Sequence, residues 1–146
     1  MNYNWIDDNV AVGNFKSSYE DFDVIVNLNY PFNEVPHEKI ERNMQLVNFK
    51  EKIIFKIGLY DNENERIYNL LVKFIPELIY LYNSNKNIKI LFHCYAGISR
   101  SSTLAIAFLC KAKGLKLSDA LNLAVSKRMI IKPNDGFLKA LKEYCE

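Results

Sequence analysis

The stretch IKILFHCYAGISRSSTLAIAFLCKAKG, residues 88–114, constrains the fold more than any other. It runs from an apolar segment that reads as a strand buried on both faces, through a loop containing Gly97, into a helix over Ser101–Lys113 ended by Gly114. That helix is apolar almost all round at Leu104–Cys110. A strand without a polar face and a helix with hardly any polar face both need cover on every side. The unit therefore belongs in the middle of the protein, within an α/β layer structure.

The rest of the chain supplies that cover. WIDDNVAVGN reads as two short strands joined by a polar turn at Asp7–Asn9, and DVIVNLN as a short buried strand. Tyr30–Arg42, with Pro31 and Pro36, reads as loop; MQLVNF and IIFKIGL are the next strands, followed by the polar stretch YDNENE. From Arg66 to Tyr82, Ile67, Leu70, Leu71, Phe74, Leu78 and Leu81 recur at helical spacing, with Pro76 inside as a kink. SDALNLAVSKR is a helix with Ser118 as its N-cap, and NDGFLKALKEY one beginning at Asn134, with Phe137, Leu138, Leu141 and Tyr144 on one face. Strands alternating with helices, then a run of helices, indicate an α/β layer structure.

Composition sets outer limits. With 49% apolar and 25% charged residues over 146 positions, the chain has the balance and length of one globular domain. A net charge of +2 from 19 basic and 17 acidic residues, spread along the chain, gives no polyanion-binding tail. No basic segment followed by an apolar core opens the sequence, and no apolar run is long enough to cross a bilayer, so a cytoplasmic or nuclear location is the expectation. Cys94, Cys110 and Cys145 form neither a CxxC pair nor an even set, which gives no sign of a disulfide framework or a cysteine metal site.

The loop itself carries chemistry. A strand that enters a helix through a glycine loop aims several backbone N–H groups at one point, where the helix dipole also favours negative charge. In HCYAGISRS the thiol of Cys94 stands at the base of this anion cradle and the guanidinium of Arg100 at its lip, a planar fork matched to two phosphate oxygens. Helix N-termini and nearby cations lower a cysteine pKa from about 8.5 to about 3.5–7.5, the condition for an attacking sulfur at neutral pH. Gly97 gives the loop conformational freedom and lets an anion approach the backbone.

His93, Cys94, Gly97, Arg100 and Ser101 together resemble the His-Cys-x5-Arg-Ser pattern of the cysteine-dependent protein tyrosine phosphatase superfamily, and AGISRSS is most similar to its dual-specificity phosphatases. WIDDNVAVGN and RMIIKPNDGFLKAL resemble the opening strands and the Arg, Pro-Asn and Phe segment of that family, so the likeness spans nearly the whole chain. The resemblance implies a single-domain α/β phosphatase fold, a central mixed, mostly parallel sheet of about five strands flanked by helices, with residues 1–146 one catalytic domain. It implies metal-independent hydrolysis, without a cofactor, of phosphotyrosine and phosphoserine or phosphothreonine in a protein. Cys94 would form a cysteinyl-phosphate, while Arg100 and the backbone of Tyr95, Ala96, Gly97, Ile98, Ser99 and Arg100 would hold the phosphoryl oxygens. Ser101 would hydrogen-bond the departing sulfur, His93 would orient the loop and help set the thiol pKa, and Asn134 would support the loop. Asp61 in GLYDNENERI fits the family's general acid, with Glu63 and Glu65 as alternatives and Arg66 at a place where many members have an acid.

Other readings stand beside these. Cys94 reads as a buried inert thiol, Arg100 as a surface ion-pair residue, Ser101 and Ser102 as helix caps, and Asp61 as a solvated loop acid. His37 is the remaining partner for a cysteine-protease dyad. Cys110, about 15 Å along the helix from the loop, reads as core. Lys111, Lys113, Lys116, Lys127, Arg128 and Lys132 form a solvated face or, around Arg128, a second anion site. An RNA 5'-phosphatase, a phosphoinositide phosphatase and a phospho-binding pseudophosphatase are the competing functions; Tyr95 and Ile98 stand where lipid-directed members often carry lysines. A phosphorylated protein as partner, no nucleic acid, no membrane and a monomer complete the expectation.

Overall fold

The structure, a computed structural model, describes residues 2–29 and 45–146, and for 45–49 the backbone alone. The expected Tyr30–Arg42 loop, with His37, lies outside the described residues. Six strands make one sheet: β1 (Tyr3–Trp5), β2 (Val10–Gly13), β3 (Val24–Asn27), β4 (Gln45–Phe49), β5 (Lys52–Lys56) and β6 (Ile90–His93), in the order β1-β2-β6-β3-β5-β4. The inner strands β2, β6, β3 and β5 run parallel, and β1 and β4 pair antiparallel at the two edges. The sheet is thus mixed and mostly parallel, with one strand more than the five or so expected.

Local chemistry explains the turns. Asp7 Oδ1 accepts from the N–H groups of Asn9 and Val10, both at 2.9 Å, and the other carboxylate oxygen of Asp7 meets Lys113, which holds the β1–β2 turn. Lys50 and Glu51 both have positive φ, the two-residue hairpin turn whose twist matches its flanking strands.

Alternation along the strands feeds two cores. Val10, Val12, Val24, Val26, Ile90 and Phe92 face the larger one, to which every described helix contributes. These helices are α1 (Tyr68–Ser84), α2 (Arg100–Lys113), α3 (Leu117–Lys127) and α4 (Asp135–Cys145). Ala11, Ile25, Ile54 and Leu91 point the other way, into a smaller core closed by Phe22 with Tyr3, Trp5 and Tyr19. Every residue from Leu104 to Cys110 is buried, because α2 packs on β2 and β6 and is surrounded by α1, α3 and α4. Each fully buried Phe or Leu in this arrangement contributes about 1.5–3 kcal/mol relative to exposure.

Among the described helices only α4 has a side-chain N-cap, and α2 has a left-handed glycine at its end. Gly114 closes α2 in the left-handed conformation, and the Asn134 side chain accepts from Phe137 N–H to start α4. Helix α3, expected to begin with Ser118 as N-cap, begins at Leu117 behind an extended Lys116, with no side-chain cap. Burial of Leu117 in the core draws the first turn forward past the serine. Helix α1 runs through Pro76 as one element and starts two residues later than the apolar pattern indicates.

The parallel strands end level. Gly13 pairs with His93, His93 with Asn27, and Asn27 with Lys56, so the chain leaves β2, β3, β5 and β6 at one edge of the sheet. Ligands of open α/β sheets bind beyond such carboxyl ends.

Candidate active site

The loop from Cys94 to Ser99 lies at this edge, between β6 and α2. Cys94 is 2% exposed; its Sγ accepts from Gly97 N–H at 3.2 Å and lies 3.2 Å from Ser101 Oγ. Gly97 has φ of +70°, and a methyl group there would meet Gly13 O at 2.6 Å, so the residue is required for both conformation and space. Helix α2 begins at Arg100, one residue earlier than expected, with its N-terminal N–H groups at the loop. Ser101 is not a cap: its hydroxyl faces the sulfur. Ser102 Oγ bonds the carbonyls of Ile98 and Ser99, and Thr103 Oγ1 bonds that of Ser99, which pins the loop to the helix.

Arg100 is placed by two distant carbonyls. Its Nη1 donates to Leu59 O at 3.0 Å and Leu28 O at 3.4 Å, just beyond the ends of β5 and β3. Its Nε is buried without a hydrogen-bond partner. A buried, charged donor left open costs free energy unless a ligand completes it, and an oxyanion is the ligand that a guanidinium edge takes.

Arg128 has a different role from the second anion site considered above. It is 5% exposed and donates from Nε to Gly97 O at 3.0 Å, from Nη2 to Ala96 O at 3.3 Å and from Nη1 to Asn4 Oδ1 at 2.7 Å. Its donors brace the loop from behind, and turning those carbonyls away leaves the N–H groups of the loop for the cradle. Burial lowers the Arg128 pKa and the adjacent Cys94 opposes that shift. Composition hides this residue among lysines; the signal available was that it alone in that segment carries enough fixed donors to hold two carbonyls at once.

His93 is buried, and its Nε2 lies 2.6 Å from Tyr19 Oη. Burial pushes its pKa down to about 4, offset in part by a main-chain contact with Cys94. The ring is therefore neutral at physiological pH, so it positions the loop without adding charge beside the sulfur. The shift has a sign for stability. An unfolded chain takes up this proton near pH 6.5 and the folded one only near pH 4, so the His93 contribution is complete above about 6.5 and is lost as pH falls to about 4. The loss amounts to about 3 kcal/mol. Urea unfolding at a series of pH values should show it, and the slope between about pH 4 and 6.5 should be smaller in His93→Gln; an unchanged slope in that variant would contradict the assignment.

The candidate acids separate by position. Asp61 is exposed on the segment after β5, and its Oδ1 accepts from Asn134 Nδ2 at 3.0 Å. Asn134 N–H donates to Ser99 Oγ at 3.0 Å, so one residue ties Asp61, the Cys94 loop and the start of α4 together. Glu65, in contrast, is 3% exposed and accepts from the Tyr60 N–H of its own loop. Glu63 is exposed, and its carbonyl lies where a methyl on Gly136 would be 1.9 Å away, so the acidic segment seats directly on α4. A cavity of about 310 Å³ is lined by Asp61 and Glu63 together with Ile98, Ser99, Lys132 and Asn134. The structure thus gathers Cys94, Arg100, Ser101, Asn134 and Asp61 around one loop and turns Glu65 away. Cys110 is core, its thiol pKa raised by a hydrogen bond with Cys145 and by burial.

Comparisons with known proteins agree with this geometry. A family model described as Dual specificity phosphatase, catalytic domain, matches residues 10–146. Protein 123R of Invertebrate iridescent virus 6, whose name places it with the tyrosine phosphatases, is 43% identical over 88 residues, 60% of this chain and 61% of that protein. Human dual specificity protein phosphatase 21 is 35% identical over 107 residues, 72% of this chain and 55% of that protein. The matched stretch therefore spans little more than half the length of these relatives. The crystal structure of human DUSP28 superposes with a TM-score of 0.76, covering 99% of this chain and 93% of that one at 18% identity, a likeness of fold. With the family model extending from the second strand to the last residue, the chain belongs to the dual specificity phosphatase catalytic domain family.

Proposed function

We propose that this domain hydrolyses phosphotyrosine and phosphoserine or phosphothreonine in proteins through a cysteinyl-phosphate. The observation that carries the reading is the buried Cys94 thiol at the base of the loop, between the Gly97 N–H and the Ser101 hydroxyl, followed by an Arg100 guanidinium anchored through Nη1 with its Nε left without a partner among the described residues. In the first step the Cys94 thiolate attacks phosphorus, the ester P–O bond breaks, and the departing oxygen takes a proton from Asp61. In the second, water attacks the phosphorus and gives its proton to Asp61, the P–S bond breaks, and Ser101 donates to the departing thiolate from 3.2 Å. Backbone N–H groups of the loop and Arg100 hold the three equatorial oxygens, where charge accumulates in the transition state.

The test is leaving-group dependence. Asp61→Asn keeps the size and the contact with Asn134 but has no proton to give. It should lower kcat about 10²–10³-fold on phosphoserine and phosphotyrosine peptides, and far less on p-nitrophenyl phosphate, whose phenolate leaves unaided. An equal loss on all three would remove Asp61 from the role of acid.

A further inference from the structure

The described residues expose eight large apolar side chains, and four of them flank the Cys94 loop. Tyr95, next to the cysteine, is 50% exposed; Phe15, just past the end of β2, is 46% exposed. Their rings stack with centroids 4.8 Å apart and planes 11° from parallel, and Phe15 N–H donates to Tyr95 O at 3.1 Å. On another flank, Met129 is 85% exposed and Ile130 54%, in the segment that Arg128 and the Lys132 N–H tie to the carbonyls of residues 96–98. Apolar side chains held half in water cluster where a partner covers them.

We infer that this rim selects the residues next to the phosphorylated one: bulky, uncharged side chains, aromatic or aliphatic, within about three positions of it. The inference rests on the proposed protein phosphatase activity and adds its sequence preference. Three observations favour a peptide. Tyr95 is the residue after Cys94, so residues next to a phosphorylated one, about 3.3 Å apart in an extended peptide, come to the rim it belongs to. The Phe15–Tyr95 pair is fixed by stacking and by a backbone bond, a preorganised wall that loses little freedom on binding. Lys16 Nζ lies 5.7 Å from the Phe15 centroid, which disfavours a cationic occupant.

The test compares phosphotyrosine peptides that carry Phe or Leu, Ala, Glu or Lys at the flanking positions, with p-nitrophenyl phosphate as a substrate without flanks. Peptides flanked by Phe or Leu should show kcat/KM about fivefold above those flanked by Ala, mostly through KM. Phe15→Ala, alone or with Met129→Ser, should erase the difference while p-nitrophenyl phosphate turnover stays within twofold. Equal turnover of all peptides by the native protein, or a preference that survives both variants, overturns the proposal. So does sedimentation with anionic phosphatidylserine vesicles that depends on Phe15 and Met129 while peptide flanks make no difference, since the rim would then serve a membrane. A protein that turns over none of the phosphomonoesters would refute the proposed function instead. Peptide binding to Cys94→Ser, followed by fluorescence anisotropy, would still decide the rim: the same ranking supports it and equal affinities overturn it.

Discussion

Cys94→Ser should lose about five orders of magnitude in kcat on p-nitrophenyl phosphate, with oxyanion binding retained. A serine hydroxyl stays protonated at neutral pH, and among the described residues the hydrogen-bond neighbours of Sγ are the Gly97 N–H and the Ser101 hydroxyl, at 3.2 Å each, while His93 is turned to Tyr19 Oη. The exchange is nearly isosteric at a site 2% exposed, so the loop, braced by Arg128, keeps its shape. Phosphopeptide affinity by calorimetry should remain within a few-fold of that of the native protein. Activity within tenfold of native would refute the cysteinyl-phosphate intermediate.

Arg100→Lys comes next, with a loss of about 10³ in kcat and a rise in KM. The guanidinium offers several donors at once: Nη1 reaches the carbonyls of Leu28 and Leu59, and Nε is left without a partner among the described residues. An ammonium has one centre. Bonded to those carbonyls it leaves the oxyanion, and turned to the oxyanion it leaves two carbonyls unmet, so charge conservation does not conserve function. Steady-state kinetics with p-nitrophenyl phosphate, beside a thermal melt to establish folding, reads this directly. A variant with a tenth of native activity would show that point charge suffices.

The strand, loop and helix of residues 88–114 were legible because their information is local: apolar runs, Gly97 and a closing Gly114. Asn134 as the start of α4 was legible for the same reason, a side chain acting on an amide three residues on. Asp61 could be singled out among three acids only by family likeness; burial of Glu65, a tertiary fact, sets that residue apart, while Glu63 lines the same cavity as Asp61, which the contact with Asn134 marks out. The bracing by Arg128 acts across 31 residues, and the anchoring of Arg100 by Leu59 across 41, so neither leaves a periodic trace in the chain. The shifted start of α3 shows the same limit at a smaller scale, where burial of Leu117 overrode a favourable capping residue.

The two carbonyls that fix Arg100 do so before any substrate arrives. A cradle already set for three phosphoryl oxygens holds orthophosphate as readily as the ester, because the part it grips is common to both. On the proposed activity, throughput would be tied to the free phosphate around the domain: departure of the second product would compete with arrival of the next substrate, and the surrounding phosphate level would set how much of the protein is open at any moment.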